Sequence, residues 1–302
     1  MRIAVLGAGA MGCLYGGSLA QAGNEVVFID VVQKQIDTID TQGIILTRNG
    51  KRSVIRARAG RAEDINGPFD FLILFTKTIH SEKALDSVKH LLTSDIMVLT
   101  LQNGIGNEDI IAKYVPKDRI LIGMTGYPAD LKEPGVVESQ GDSFTKLMCA
   151  GETENTAAAK IAEAITLAGL NCSVDRQVYA AIWEKAIFNA AVNALCAITR
   201  LTVGQIADQG GEELACAVTR EGVLVAHANG IDADENKVRD MLHHAFSTHH
   251  DHKPSMLQDI LAGRKTEVWF INGAIVRAAK VCGMEAPVNE TLFRLVKMME
   301  AG

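Results

Sequence analysis

An α/β N-terminal domain followed by an all-α C-terminal domain is the fold that the sequence predicts, and three observations carry it. Short apolar runs alternate with helical patterns through the first part of the chain. A glycine-rich turn, Gly7-Ala8-Gly9-Ala10-Met11-Gly12, joins the first apolar run to the first helical one. From about residue 176 onward no strand pattern recurs. Taken in order, strands are expected at 2–6, 25–29, 70–75, 96–101 and 119–122, and helices at 10–22, 32–41, 79–92 and 105–113. Continuous apolar strands between helices indicate a parallel sheet covered on both faces. Segment 43–58 reads as a hairpin turning at Arg48-Asn49-Gly50-Lys51, because Asn-Gly is a strong turn signal. Residues 124–150, with Gly126, Pro128, Pro134, Gly135, Gly141 and Asp142, read as strands and loops that close the first domain. A helix over 155–168 ends at Gly169, a suitable C-cap. Helices at 177–200, 211–228, 234–246, 266–281 and 287–299 make up the second domain. The expected domains are 1–172 and 173–302.

Composition narrows the function classes. A length of 302 residues suggests two domains, and 48% hydrophobic with 22% charged residues is the make-up of a soluble globular protein. A net charge of -6 offers no surface for nucleic acid or for an anionic membrane. The six cysteines lack CxxC spacing and read as reduced thiols of a cytoplasmic protein. With the first strand starting at residue 2, no signal peptide is expected. The most apolar long stretch, 178–201, contains Glu184, Lys185, Asn189 and Asn193, which suits a buried helix rather than a membrane span.

In a strand–GxGxxG–helix context the glycines have separate tasks. Gly7 permits the tight turn, Gly9 lets backbone approach a pyrophosphate, and Gly12 lets helix and strand pack closely. Ala8, Ala10 and Met11 complete this expected cofactor loop, whose helix N-terminus supplies free N–H groups to the phosphates. Asp30 ends the next strand, where the fingerprint places a carboxylate on the adenosine ribose. A carboxylate there repels a 2′-phosphate, and Val31 and Val32 follow it instead of an arginine. The cofactor is thus NADPH or NADH, with Asp30 favouring NADH; alternatively, Asp30 caps the helix beginning near Gln33.

Further chemistry gathers in four places. Lys77 and Asn103 follow two strand ends, the edge at which open α/β sheets bind ligands; the bland alternative is an exposed lysine and a simple turn. Lys185, Asn189 and Asn193 fall at i, i+4 and i+8, so they lie along one helix face among Ala, Ile, Phe and Val. Such a stripe lines a cleft or forms a hydrogen-bonded helix seam; in a cleft, a cationic amine stabilises a developing alkoxide and delivers a proton. The third place runs from Ser255-Met256-Leu257-Gln258-Asp259 through Gly263 to Thr266-Glu267 and Asn272-Gly273. Ser255 is also a plausible helix cap, while Glu267 and Asn272 are expected within one amphipathic helix, where a carboxylate near Lys185 would hold it protonated. Lastly, His243, His244, His249, His250 and His252 could bind zinc, but no accompanying ligand set of regular spacing is present, so an exposed loop is expected and no metal.

These residues together resemble the ketopantoate reductases (2-dehydropantoate 2-reductases) over essentially the whole chain. The resemblance implies a Rossmann-type N-terminal domain, a helical domain, and hydride transfer from NADPH to the keto carbon of a branched 2-oxo acid, giving a D-2-hydroxy acid in pantothenate biosynthesis. It implies Lys185 as general acid and Asn103 at cofactor and substrate. It further implies Asn189 and Asn193 on the substrate's oxygens, Ser255 on its carboxylate, and Glu267 at the cofactor amide or substrate. Lys77 belongs to the cofactor set. Three departures stand out: Asp30 where NADPH-using members commonly carry Arg, and His252 and Val203 where some carry Asn. They suit an NAD-dependent D-2-hydroxyacid dehydrogenase acting on apolar branched or aromatic 2-oxo acids. A β-hydroxyacid dehydrogenase or imine reductase, and a non-catalytic dinucleotide sensor, are the remaining alternatives. A homodimer is possible; no apolar heptad is evident.

Overall fold

The computed structural model describes residues 1–93, 95–151, 155–248 and 250–300. It consists of two compact units: 1–102 with 107–178, and 103–106 with 179–302. The first unit is α/β and the second is helical, as the sequence predicts.

The first unit begins β1 (Arg2–Leu6), α1 (Ala10–Gln21), β2 (Glu25–Ile29), α2 (Gln33–Gln42), β3 (Ile44–Arg48), β4 (Lys51–Ile55) and β5 (Arg58–Gly60). It continues with β6 (Phe71–Leu74), α3 (Ser81–Ser87), β7 (Met97–Thr100), α4 (Asn107–Ile111), β8 (Ile120–Thr125), β9 (Asp130–Glu133), β10 (Val136–Ser139), β11 (Thr145–Cys149), α5 (Thr156–Leu167) and β12 (Cys172–Val174). Eight strands form one sheet in the order β12-β11-β8-β7-β6-β1-β2-β5. All neighbours in it are parallel except β8 and β11. Ile3, Val5, Phe71 and Ile73 on one face and Ala4, Leu72, Leu74 and Val98 on the other are fully buried, which is why these strands are apolar on both faces.

The 43–58 segment is a hairpin as expected, with Asn49 and Gly50 both at positive φ (47° and 76°). However, β9 and β10 do not simply close the first domain; β10 pairs in parallel with β3, giving a separate four-stranded sheet β4-β3-β10-β9. That pairing joins segments some ninety residues apart, which local pattern does not encode. Strands β5 and β12, of three residues each, carry too short a signal to be read. The expected helix 79–92 is only α3 flanked by 3-10 turns at 78–80 and 89–91. The helix expected at 105–113 shortens to α4 because Gly106 sits at φ 90°, outside helical space.

The second unit contains α6 (Val178–Thr199), α7 (Val203–Asp208), α8 (Glu212–Ala228), α9 (Glu235–Thr248), α10 (Ser255–Leu261), α11 (Asn272–Val281) and α12 (Pro287–Met299). Helix α6 is long and apolar enough to cross a membrane, yet most of it is buried within the protein. Its small residues Ala186, Ala190, Ala194 and Ala197 let neighbouring helices approach closely. A buried polar network ties the helices together: Asn272 Nδ2 donates to the Ala190 carbonyl (3.0 Å) and to Asn289 Oδ1 (3.3 Å). The Asn289 backbone N–H and Nδ2 in turn donate to Glu221 at 2.8 and 2.9 Å. The Asn272 Oδ1 is left buried without a partner among the described residues, but the bonds made by its amide nitrogen and by Asn289 still favour one register among otherwise interchangeable apolar surfaces.

Candidate active site

The first unit carries the glycine loop. Gly7 has φ 102°, and a Cβ there would lie 2.6 Å from the Thr76 nitrogen, so β1 and the end of β6 meet at a position where a side chain does not fit. A Cβ on Gly12 would fall on the Gly7 carbonyl oxygen and 3.3 Å from Val5 Cγ1. Around Gly9, in contrast, nothing lies within 4 Å of an added Cβ. Gly9 is the N-cap of α1 and no side chain caps that turn. The N–H groups of Ala10, Met11 and Gly12 therefore lack intrahelical partners and face an opening that suits a pyrophosphate.

Asp30 is pinned in this loop. Its Oδ2 accepts the Ala8 N–H at 2.7 Å, and its Oδ1 accepts those of Val31 and Val32 at 2.8 and 2.9 Å. The capping alternative does not hold, since Val32 is the N-cap of α2 and no side chain caps it. Gln35, buried, donates to the Ala8 carbonyl at 2.6 Å and braces the loop from α2. Pairing of β5 with β2, absent from the sequence reading, brings Gly60 opposite Ile29 and so places Arg61 beside the end of β2. Arg61 Nε donates to Gln33 Oε1 at 2.9 Å. A further brace supports Lys77, which is half-buried in the loop after β6. Gln102 Nε2 donates to Ser81 Oγ at 2.8 Å and to the Thr76 carbonyl, joining the ends of β6 and β7.

The second unit carries the polar stripe. Lys185 is half-buried, whereas Asn189 and Asn193 are only 8% and 5% exposed. Neither carboxamide has a hydrogen-bond partner among the described residues, which rules out the helix-seam alternative for them. The small exposed remainder of each side chain leaves its amide free to bond a ligand instead of the protein. Burial pulls the Lys185 ammonium down from 10.5 to about 8, and the Glu267 carboxylate pulls it partly back. Asn103 opens the 103–106 excursion that belongs to this unit. Its neighbour Gly104 is pressed on the Phe270 backbone, and Ile105 N–H donates to the Phe270 carbonyl at 2.9 Å. Asn103 is thereby tethered to the turn that bears Glu267.

That turn corrects the expected helix 266–281. Residues 267–271 form a bend and turns and α11 starts only at Asn272, because Thr266 draws an amide of this stretch to its own hydroxyl. Val268 N–H donates to Thr266 Oγ1 at 3.1 Å. Ser255 is the first helical residue of α10 rather than its cap; Pro254 holds the cap position, and the serine is exposed. His252 is exposed, and its carbonyl accepts the N–H of Val203, which is buried at the start of α7. His250 bonds Asp208 Oδ2 at 2.8 Å, and His249 lies outside the described residues. Among the described residues no group of three or more His, Cys, Asp or Glu is arranged to hold a metal. The residue sequence reasoning missed here is Glu300, which reaches Thr266 from the end of α12; no local pattern signals it.

Two family models cover nearly all of the chain: Ketopantoate reductase PanE/ApbA over residues 3–152, and its C-terminal counterpart over 177–300. The chain belongs to the ketopantoate reductase family. A 2-dehydropantoate 2-reductase of Pyrococcus horikoshii is 36% identical, aligned over 100% of this chain and 98% of its own length. The solved structure of D-mandelate dehydrogenase with NADH and anilino(oxo)acetate is 34% identical, with a TM-score of 0.95, over 100% of this chain and 99% of that one. That of 2-dehydropantoate 2-reductase from Geobacter metallireducens is 27% identical, with a TM-score of 0.92, over 99% of both. Family membership makes the chain an oxidoreductase acting on a CH–OH group, with a nicotinamide dinucleotide as cofactor and a small molecule as substrate.

Proposed function

We propose that the chain reduces a branched 2-oxo acid to the D-2-hydroxy acid, ketopantoate to pantoate, with Lys185 as proton donor. The observation that carries this reading is the α6 stripe: an ammonium tuned to about 8 followed, one and two turns on, by two buried carboxamides without partners. A donor poised near neutrality can both stabilise a developing alkoxide and release its proton to it. The bound dinucleotide supplies the hydride. The α1 N-terminus holds its phosphates, and Asp30 holds the adenosine ribose. Asn189 and Asn193 orient the oxo acid's oxygens, Ser255 takes its carboxylate, and Asn103 sits at cofactor and substrate. Glu267 keeps Lys185 charged.

A second reading is supported by Asp30 and by the D-mandelate dehydrogenase neighbour solved with NADH and anilino(oxo)acetate. In it the enzyme is an NADH-dependent D-2-hydroxyacid dehydrogenase for apolar 2-oxo acids. Val203 and His252 fit that reading, since neither restores the carboxamide that a hydroxylated substrate prefers. Initial rates with ketopantoate, 2-oxoisovalerate and phenylglyoxylate, each with NADH and NADPH, separate the two. Turnover of ketopantoate above the others supports the first reading. Turnover of the apolar acids with little ketopantoate activity replaces it with the second, and no turnover of any of them sinks both.

Cofactor choice has its own expected result. NADH should bind more tightly than NADPH, because the three amides fix the Asp30 carboxylate where a 2′-phosphate would approach. Asp30→Asn should narrow that preference about tenfold, read from dissociation constants by nicotinamide fluorescence. A wild-type preference for NADPH would instead assign the dominant role to Arg61.

A further inference from the structure

The turn that carries Glu267 is anchored from the end of the last helix. Glu300, the C-cap of α12, accepts two hydrogen bonds on Oε1, from the Thr266 N–H at 2.7 Å and from Thr266 Oγ1 at 2.5 Å. Its Oε2 is held by Lys297 Nζ at 2.5 Å. The Glu300 side chain is only 5% exposed and Thr266 only 2%. Thr266 Oγ1 also accepts from Val268 N–H, so the residues on both sides of Glu267 are tied to one carboxylate. The Glu267 carbonyl is fixed as well, accepting from Phe270 and Ile271 at 2.9 and 3.1 Å. A buried carboxylate, a buried hydroxyl and the bonded Glu267 carbonyl thus fix the backbone on both sides of the Glu267 side chain. Burial alone would push the Glu300 carboxyl up, but Lys297 and the two Thr266 bonds outweigh it and hold it below the ordinary carboxylate range.

We propose that Glu300 is a positioning residue, which through Thr266 holds the Glu267 carboxylate within electrostatic reach of Lys185. The inference rests on the reading of Lys185 as proton donor. Glu267 is what pulls the Lys185 ammonium upward against burial. If Glu267 drifts, that pull weakens and Lys185 loses its proton at lower pH.

The test compares Glu300→Ala with Glu300→Gln. For each, the pH dependence of kcat/KM for reduction is measured, together with the titration of Lys185 itself by pH-dependent acetylation and peptide mapping. Glu300→Ala should move both midpoints down by about one pH unit, lowering kcat/KM about fivefold at pH 8. Glu300→Gln retains an oxygen for both Thr266 donors and should keep the wild-type midpoints. An unmoved midpoint in Glu300→Ala overturns the proposal. So does an equal shift in Glu300→Gln, which would mean that the charge of Glu300 acts directly rather than through position. If Glu300→Ala does not fold, Thr266→Val takes its place: it should shift the midpoints in the same direction, Thr266→Ser should restore them, and no shift again overturns the proposal. Failure of the underlying reading shows separately, as reductase activity that survives in Lys185→Met.

Discussion

Lys185→Met should abolish reduction while making the protein more stable at neutral pH. The expected loss in kcat is about 10²–10⁴-fold, the usual worth of a positioned general acid. The gain in stability follows from the depressed ammonium. In the folded chain Lys185 titrates near 8, against 10.5 as the ordinary value. The unfolded chain therefore binds this proton more tightly between those limits, and stability rises with pH across them. The cost of burying the charge is present in full below pH 8 and disappears toward pH 10.5. Removing the charge should stabilise the fold by roughly 2 kcal/mol at pH 7, a discounted figure because Lys185 is only half-buried. Denaturant unfolding at pH 7 and pH 10.5 checks this; the difference between variant and wild type should shrink at the higher pH. In the wild type, reduction should decline above about pH 8, and oxidation of the hydroxy acid should rise through the same midpoint, since that direction needs the neutral amine. A variant that is inactive but no more stable would show that the ammonium is already compensated and that its low titration point has another origin.

Gly12→Ala and Gly9→Ala should have sharply different effects although they lie three positions apart in one motif. At Gly12 the added methyl collides with the Gly7 carbonyl oxygen, backbone that cannot yield cheaply. Helix α1 has to move off β1, and the expected destabilisation is about 2–4 kcal/mol, with cofactor affinity falling too. At Gly9 the methyl meets no protein atom, and φ of -73° suits any residue. Thermal unfolding should be nearly unchanged there, while NADH affinity falls at least about tenfold because the methyl fills space meant for the pyrophosphate. Calorimetry with titrated NADH reads both quantities. Normal NADH binding by Gly9→Ala would place the phosphates elsewhere than at the α1 N-terminus.

The glycine motif, Asp30 and the Lys185–Asn189–Asn193 stripe were legible because each is a local pattern with a fixed geometric meaning: a turn that needs glycine, a strand end, a helix face. Their capping and seam alternatives are excluded by hydrogen bonds that only the folded chain makes. Asp30 turned out to bond Ala8 in its own loop, and the helix seam was made by Asn272 and Asn289 instead. The helix expected from residue 266 failed for the same reason in reverse. Its apolar spacing is helical, but Thr266 answers to Glu300, thirty-four residues away.

The sequence by itself determined the α/β and all-α halves, the glycine-rich turn and the polar stripe, since all of these are set by residues within a turn or two of one another. Tertiary structure alone decided that β10 joins β3, that β5 brings Arg61 beside Asp30, that Asn103 is tethered to the Glu267 turn through Ile105 and Phe270, and that Glu300 governs that turn. Each of those depends on a hydrogen bond between distant segments. A single backbone amide or carboxylate offers many such partners, and only the packed core selects among them.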